Sequence, residues 1–213
     1  MNRRMICAAA AACLATGAAA QTGAGMTLQQ IGAAAEGAPM NGGVVSLQQT
    51  TAGSIPYYVA NIPNTDLQFA ISGIGCGGAA GARCDGLGMI FVVGPRARYE
   101  SLFHVVNAQT RFVKFYATDD AAVMTSEQVL IGGGASTVRA SIDMLAAGIA
   151  RMMEVAEAGR SVEIRDEAAA VTHAPDGPPV KIVLTGVGGD LDPEKRAAIA
   201  RNYVEASYPG AVE

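Results

Sequence analysis

Histidine, tryptophan and positive charge are all in short supply in this chain. Its 213 residues include two His, no Trp and four Cys, and aromatic residues make up only 5%. So few His and Cys leave little raw material for a metal site. The 15 Lys and Arg are outnumbered by 19 Asp and Glu, so no cationic surplus exists to meet phosphates, and nucleic acid is not an expected partner. G-x-S-x-G, H-E-x-x-H and Walker sequences are missing, which lowers the expectation of an enzyme without excluding one. No catalytic residue and no cofactor is assigned. His104 and His173 read as packed or solvated side chains, and Asp119-Asp120 as turn acids that face apart. Arg111 and Lys114 on one strand make at most a small basic spot. Disorder is excluded as well, because half the residues are apolar and the net charge is only −4. The length suits one globular domain with extras, or two small domains.

Long apolar runs are also lacking. The most extended, Met5 to Ala19, falls short of the roughly 20 residues that cross a bilayer as a helix. Arg3 and Arg4 precede it, and Ala18-Ala19-Ala20 leads into Gln21. A charged start, an apolar middle and a small-residue exit predict a signal peptide over residues 1–20, cleaved between Ala20 and Gln21. The mature chain is then periplasmic or secreted, with no stable membrane insertion after cleavage. Losing two Arg takes its net charge from −4 to −6, which gives little attraction to anionic lipid.

Cys7 and Cys13 leave with that segment, and Cys76 and Cys84 remain. In an oxidising compartment such a pair is expected to form a disulfide that staples a β-hairpin loop. A redox-active pair usually needs two intervening residues and a helix start, and neither is apparent. The same loop spells Gly75-Cys76-Gly77-Gly78-Ala79-Ala80, formally G-x-G-x-x-A. A strand follows it where a dinucleotide site requires a helix, so the match carries no function.

Apolar spacing sets out the rest. Residues 21–26 read as a leader, and Thr27 as the cap of a short helix carrying Leu28 and Ile31. Strand signals follow at Val44–Gln48, Tyr57–Ile62, Leu67–Ile74 and Leu87–Val93. Tyr99, Leu102, Phe103 and Val106 form a helical stripe, and Arg111–Ala117 with Val123–Ile131 read as a hairpin. After Gly132-Gly133-Gly134, Ser136 or Thr137 caps a long helix whose seam is Val138, Ile142, Leu145, Ile149 and Met152. The main domain is placed at 27–159, a linker at 160–179, and a strand–helix extension at 180–213. In that extension Val180–Leu184 is the strand, Asp192-Pro193-Glu194 opens the helix, and the unit is expected to dock on the main body.

The run from Val106 to Tyr116 contains Asn107, Arg111, Phe112, Lys114 and Tyr116, and Asp119-Asp120 and Gly132-Gly133 follow it. This run resembles the core signature of the YbjN-domain family. That family reads as a helix ending in an Asn-containing turn, an Arg-Phe-x-Lys-x-Tyr strand, an acidic turn, a second strand, and Gly-Gly before a terminal helix. Val106 stands where a Trp is often found. The resemblance spans 27–158 and implies an α+β domain of the type III secretion chaperone kind, a mainly antiparallel sheet with packed helices. The family is described as bacterial sensory transduction regulators, with no established reaction or cofactor. Its fold implies polypeptide binding and a homodimer, although those chaperones act in the cytoplasm and an exported chain does not simply inherit their role. The leading expectation is an exported, non-catalytic module that binds a protein or peptide through a sheet face or edge. The alternatives are a small-ligand binder or enzyme with a pocket near Arg111, Lys114 and Tyr116, and a self-associating envelope structural or stress protein.

Overall fold

Thr27 ends a two-residue strand, β1 (Met26–Thr27), and caps α1 (Leu28–Ala35). Its hydroxyl accepts from the Gln30 amide while the Gln30 side chain accepts from the Thr27 amide, a reciprocal capping box. This computed structural model describes residues 25–76, 81–162 and 191–207. The predicted signal peptide with its Ala20–Gln21 cleavage site, most of the linker, His173 and the strand expected at Val180–Leu184 lie outside those residues.

After α1 a small hairpin pairs β2 (Pro39–Met40) with β3 (Gly43–Val44). Asn41 and Gly42, at φ 48° and 73°, make its turn, a two-residue solution that favours Asn-Gly. The main sheet follows, with β4 (Ser46–Ala52), β5 (Ile55–Asn61) and β6 (Gln68–Ile74). The strand expected at Val44–Gln48 is displaced. Val45 turns away to bond the backbone of Gly37 and Ala38, and the strand continues through Gln49, Thr50 and Thr51 to Ala52. Those polar residues gave no apolar alternation because β4 lies at the edge of the sheet, half in water.

Short β7 (Arg83–Cys84) pairs with β1 and precedes β8 (Gly86–Pro95), which is buried throughout except at its last residue. The sulfurs of Cys76 and Cys84 lie 2.08 Å apart, so the expected disulfide closes the loop between β6 and β8. The helical stripe follows in three pieces: α2 (Arg96–Tyr99), a 3-10 turn at Glu100–Leu102, and α3 (Phe103–Gln109). They still share one inward face, with Tyr99 and Val106 buried and Leu102 and Phe103 packed against the core.

The second hairpin is β9 (Lys114–Ala117) and β10 (Ala121–Val129). Arg111 and Phe112 fall outside β9, which corrects the strand expected from Arg111. The long helix is α4 (Ala135–Val162), and it runs past the boundary placed at residue 159. Its seam of Val138, Ile142, Leu145, Ile149 and Met152 is fully buried. At Gly148 a Cβ would come within 3.0 Å of Val113 and 3.2 Å of the Met124 sulfur, so glycine lets α4 lie close on the sheet. The last helix, α5 (Pro193–Ala206), starts as its sequence predicts, with the Asp192 carboxylate accepting from the Glu194 amide 3.0 Å away.

The six main strands are antiparallel in the order β4-β5-β6-β8-β10-β9. One face, with Phe69, Met89, Phe91, Phe115 and Met124, packs under α1, α3 and α4. The opposite face, with Ile55, Tyr57, Ile90, Val92 and Val123, packs under α5 through Leu191, Ile199, Tyr203 and Val204. The chain is therefore α+β with helices on both sides of the sheet, and α5 of the expected extension packs on its second face. Among the described residues, no helix is long and apolar enough to cross a membrane.

Candidate functional site

The tract from Asn107 to Tyr116 is held by side chains that act as backbone. Asn107, in the last turn of α3, donates from Nδ2 to the Phe115 carbonyl at 2.7 Å. It accepts at Oδ1 from the Phe115 amide at 2.8 Å. One amide side chain thus stands where a neighbouring strand would pair with β9. The Thr110 hydroxyl lies 3.0 Å from both the Val106 and the Val113 carbonyl oxygens and, with a single proton, serves one at a time. It ties the helix end to the strand start. Between those ties the chain bends outward and presents Arg111 and Phe112, while Val113 turns into the core. The Phe103 ring meets Phe115 edge to face at 4.7 Å and closes the interior beneath.

A groove with a volume of about 510 Å³ separates this turn from α4. Arg111, Phe112, Val113, Met144 and Gly148 are among the residues that line it. Phe112 is 58% exposed, an unusual state for a phenylalanine beside an apolar channel. Arg151 also lines the groove, and it donates to the Gln109 side chain and to the Glu154 carboxylate. Its charge is therefore matched. Arg111 makes no hydrogen bond or ion pair with any described residue. The groove combines an apolar lining, one unengaged guanidinium and a volume in the range that holds small ligands or one or two peptide side chains. Chemically it suits an apolar group with a carboxylate beside it.

Lys114 and Tyr116 are not part of it. Phe115 is buried toward α3 and α4, so its neighbours on β9 point to the α5 side. There partial burial raises the pKa of the Tyr116 hydroxyl above the usual tyrosine value. Tyr203 of α5 donates to Glu127 at 3.1 Å, and its own pKa is raised by burial and by the Glu127 charge. Lys195 meets Asp120 at 2.6 Å and ties the start of α5 to the β9–β10 turn. Arg111 lies outside β9 in the groove beside α4 while Lys114 points to the α5 side, so the two form no joint basic spot.

The other residues singled out in the sequence have local roles. Gly132, at φ 73°, and Gly133 shape the turn before α4, and a Cβ on Gly133 would come within 2.8 Å of the Thr137 hydroxyl. His104 is exposed on α3, and Asp119 and Asp120 are exposed in their turn. Among the described residues, no group of three or more His, Cys, Asp or Glu is placed to hold a metal ion. Sequence reasoning missed the α4 side of the groove. Met144, Gly148 and Arg151 are spaced as one helical stripe beside the main seam, and that spacing was the available signal. Compared with protein-family models and with curated proteins, the chain matches none.

Proposed function

We propose that this chain is an exported, non-catalytic module of the YbjN kind that binds a polypeptide. Its groove beside α4 takes an apolar side chain, and Arg111 pairs with a carboxylate next to that side chain. The observation that carries this reading is an exposed Phe112 and an unengaged Arg111 side by side over an apolar channel. An exposed phenylalanine beside an apolar groove offers adjoining apolar area that a bound side chain would remove from water. Export is supported by the charged, apolar and small-residue order of residues 1–20 and by the Cys76–Cys84 bond. The kinship rests on the motif, in which Asn107 has the physical task of fixing β9 behind the presenting turn.

A photo-crosslinking residue at Phe112, introduced in growing cells, tests the reading. We expect a discrete polypeptide adduct that disappears when Arg111→Glu is added, while a probe at exposed Ala198 gives none. Purified protein should favour peptides with Phe or Leu beside Asp over the same peptides with Lys. An adduct indifferent to Arg111→Glu, or equal affinity for the acidic and basic peptides, refutes the site.

A further inference from the structure

The two edges of the main sheet are treated differently. On β9 the outward amide and carbonyl of Phe115 are taken by Asn107, so strand pairing is blocked in the middle of that short edge. On β4 protection covers only the beginning. Val45 bonds to the α1–β2 connection, and the Glu36 carboxylate accepts from the Leu47 amide at 2.9 Å. Amide and carbonyl of one strand residue point the same way, and successive residues alternate. With Leu47 facing outward, Gln49 and Thr51 also face outward. Neither has a hydrogen-bond partner on that side among the described residues. Natural sheets usually guard such an edge with charge, proline or a bulge, yet Ser46–Ala52 has no charged residue and no proline, and it pairs with β5 without a register shift.

We propose that β4 pairs with β4 of a second copy of this chain about a two-fold axis through Thr50, which joins the two sheets into one. Geometry selects the register. Pairing Gln49 with Thr51 of the other copy, and the reverse, uses every outward amide and carbonyl of both residues. It also leaves each Leu47 amide with its own Glu36. Moving the axis to Gln49 sets Leu47 against its Glu36 bond, and moving it to Thr51 carries pairing into Gly53, a turn residue at φ 56°. Charge is compatible with this occupant, because Ser46–Ala52 carries no charged residue and brings no like charges together across the axis in an acidic chain. Isologous pairing of a strand with itself is necessarily antiparallel, which matches the rest of this sheet. This interface is separate from the groove, and either can fail without the other.

Thr50 then faces Thr50 of the second copy in a non-hydrogen-bonded pair, the closer of the two antiparallel arrangements. We expect Thr50→Cys to give a dimer on non-reducing gels that reductant abolishes, while Ser54→Cys and the unmodified chain give none. Light scattering over roughly a hundredfold range of concentration should show mass doubling toward the upper end. Proline at Gln49 or Thr51 removes only an outward amide and spares the pairing with β5, so both variants should keep the parent's circular dichroism, melt as the parent does at dilutions where the parent is monomeric, and remain monomeric at every concentration. Gln49→Lys, which keeps the amide and adds like charge, should weaken the dimer in low salt and less so in high salt. A monomer at every concentration refutes the proposal, as does a dimer that survives both prolines or a Thr50→Cys chain that does not crosslink. A monomer that instead captures an extended peptide on β4, in a proline-sensitive way, refutes the second copy as occupant.

Discussion

Replacing Asn107 tests whether a side chain does the work of a missing strand. Asn107→Ala removes a donor and an acceptor at once, leaving the Phe115 amide and carbonyl without their bonds of 2.8 and 2.7 Å. Each such bond contributes about 0.5–1.5 kcal/mol net, and the site is only partly buried, so water recovers some of the loss. A destabilisation of about 1–2 kcal/mol is expected, seen as a fall in melting temperature of about 2–8 °C for a chain of this size. Asn107→Asp makes the test sharper. Its carboxylate can still accept from the Phe115 amide but sets negative charge against the Phe115 carbonyl, and only the protonated acid restores the donor. The folded-state pKa of the introduced carboxyl is therefore raised above the ordinary aspartate value of about 3.9. A raised folded pKa means the folded chain holds the proton more tightly. Its contribution is fully present below the unfolded value and is lost as pH rises through the folded value. Relative to Asn107→Ala, the Asn107→Asp variant should gain stability on acidification from neutral pH. Urea unfolding of both variants across that range gives the answer. If Asn107→Ala lies within about 0.5 kcal/mol of the parent, or the two variants keep a constant difference across pH, the clamp argument is wrong.

Two further outcomes follow from packing and covalent topology. Gly148→Ala gains helix propensity but drives a methyl into Val113 and Met124, so we expect a net loss of about 1–3 kcal/mol by chemical denaturation; a more stable variant would show that α4 can lift off the sheet cheaply. Replacing Cys76 and Cys84 together by Ser reopens a loop with a sequence separation of eight. The chain-entropy relation gives a loss of about 2–3 kcal/mol, and reductant should lower the parent's midpoint but not the variant's.

Much of the fold was legible because periodicity records burial. The α4 seam, the β8 run and the alternation of Leu67, Phe69 and Ile71 each announced an element whose inner face lies at 5% exposure or less. Local chemistry placed the ends of α1 and α5, through Thr27 and Asp192. Reading failed where a segment's partner was not apolar core. The polar half of β4 gave no signal because an edge strand with water on one side needs no alternating apolar residues. Arg111 and Phe112 were drawn into a strand because their neighbours alternate, whereas the Thr110 hydroxyl holds them in a turn.

The sequence alone settled the buried faces and the order of the longer helices and strands, because hydrophobic spacing and capping act within a few residues along the chain. Only tertiary structure decided that Arg111 meets Met144 and Arg151 across a groove while Lys114 and Tyr116 face away beneath α5. It alone decided that Asn107 occupies one sheet edge at Phe115, while on the other edge Gln49 and Thr51 have no outward partner among the described residues. Those relations join residues far apart in sequence, and they depend on strand order and on which face of the sheet each helix covers, neither of which any local pattern encodes.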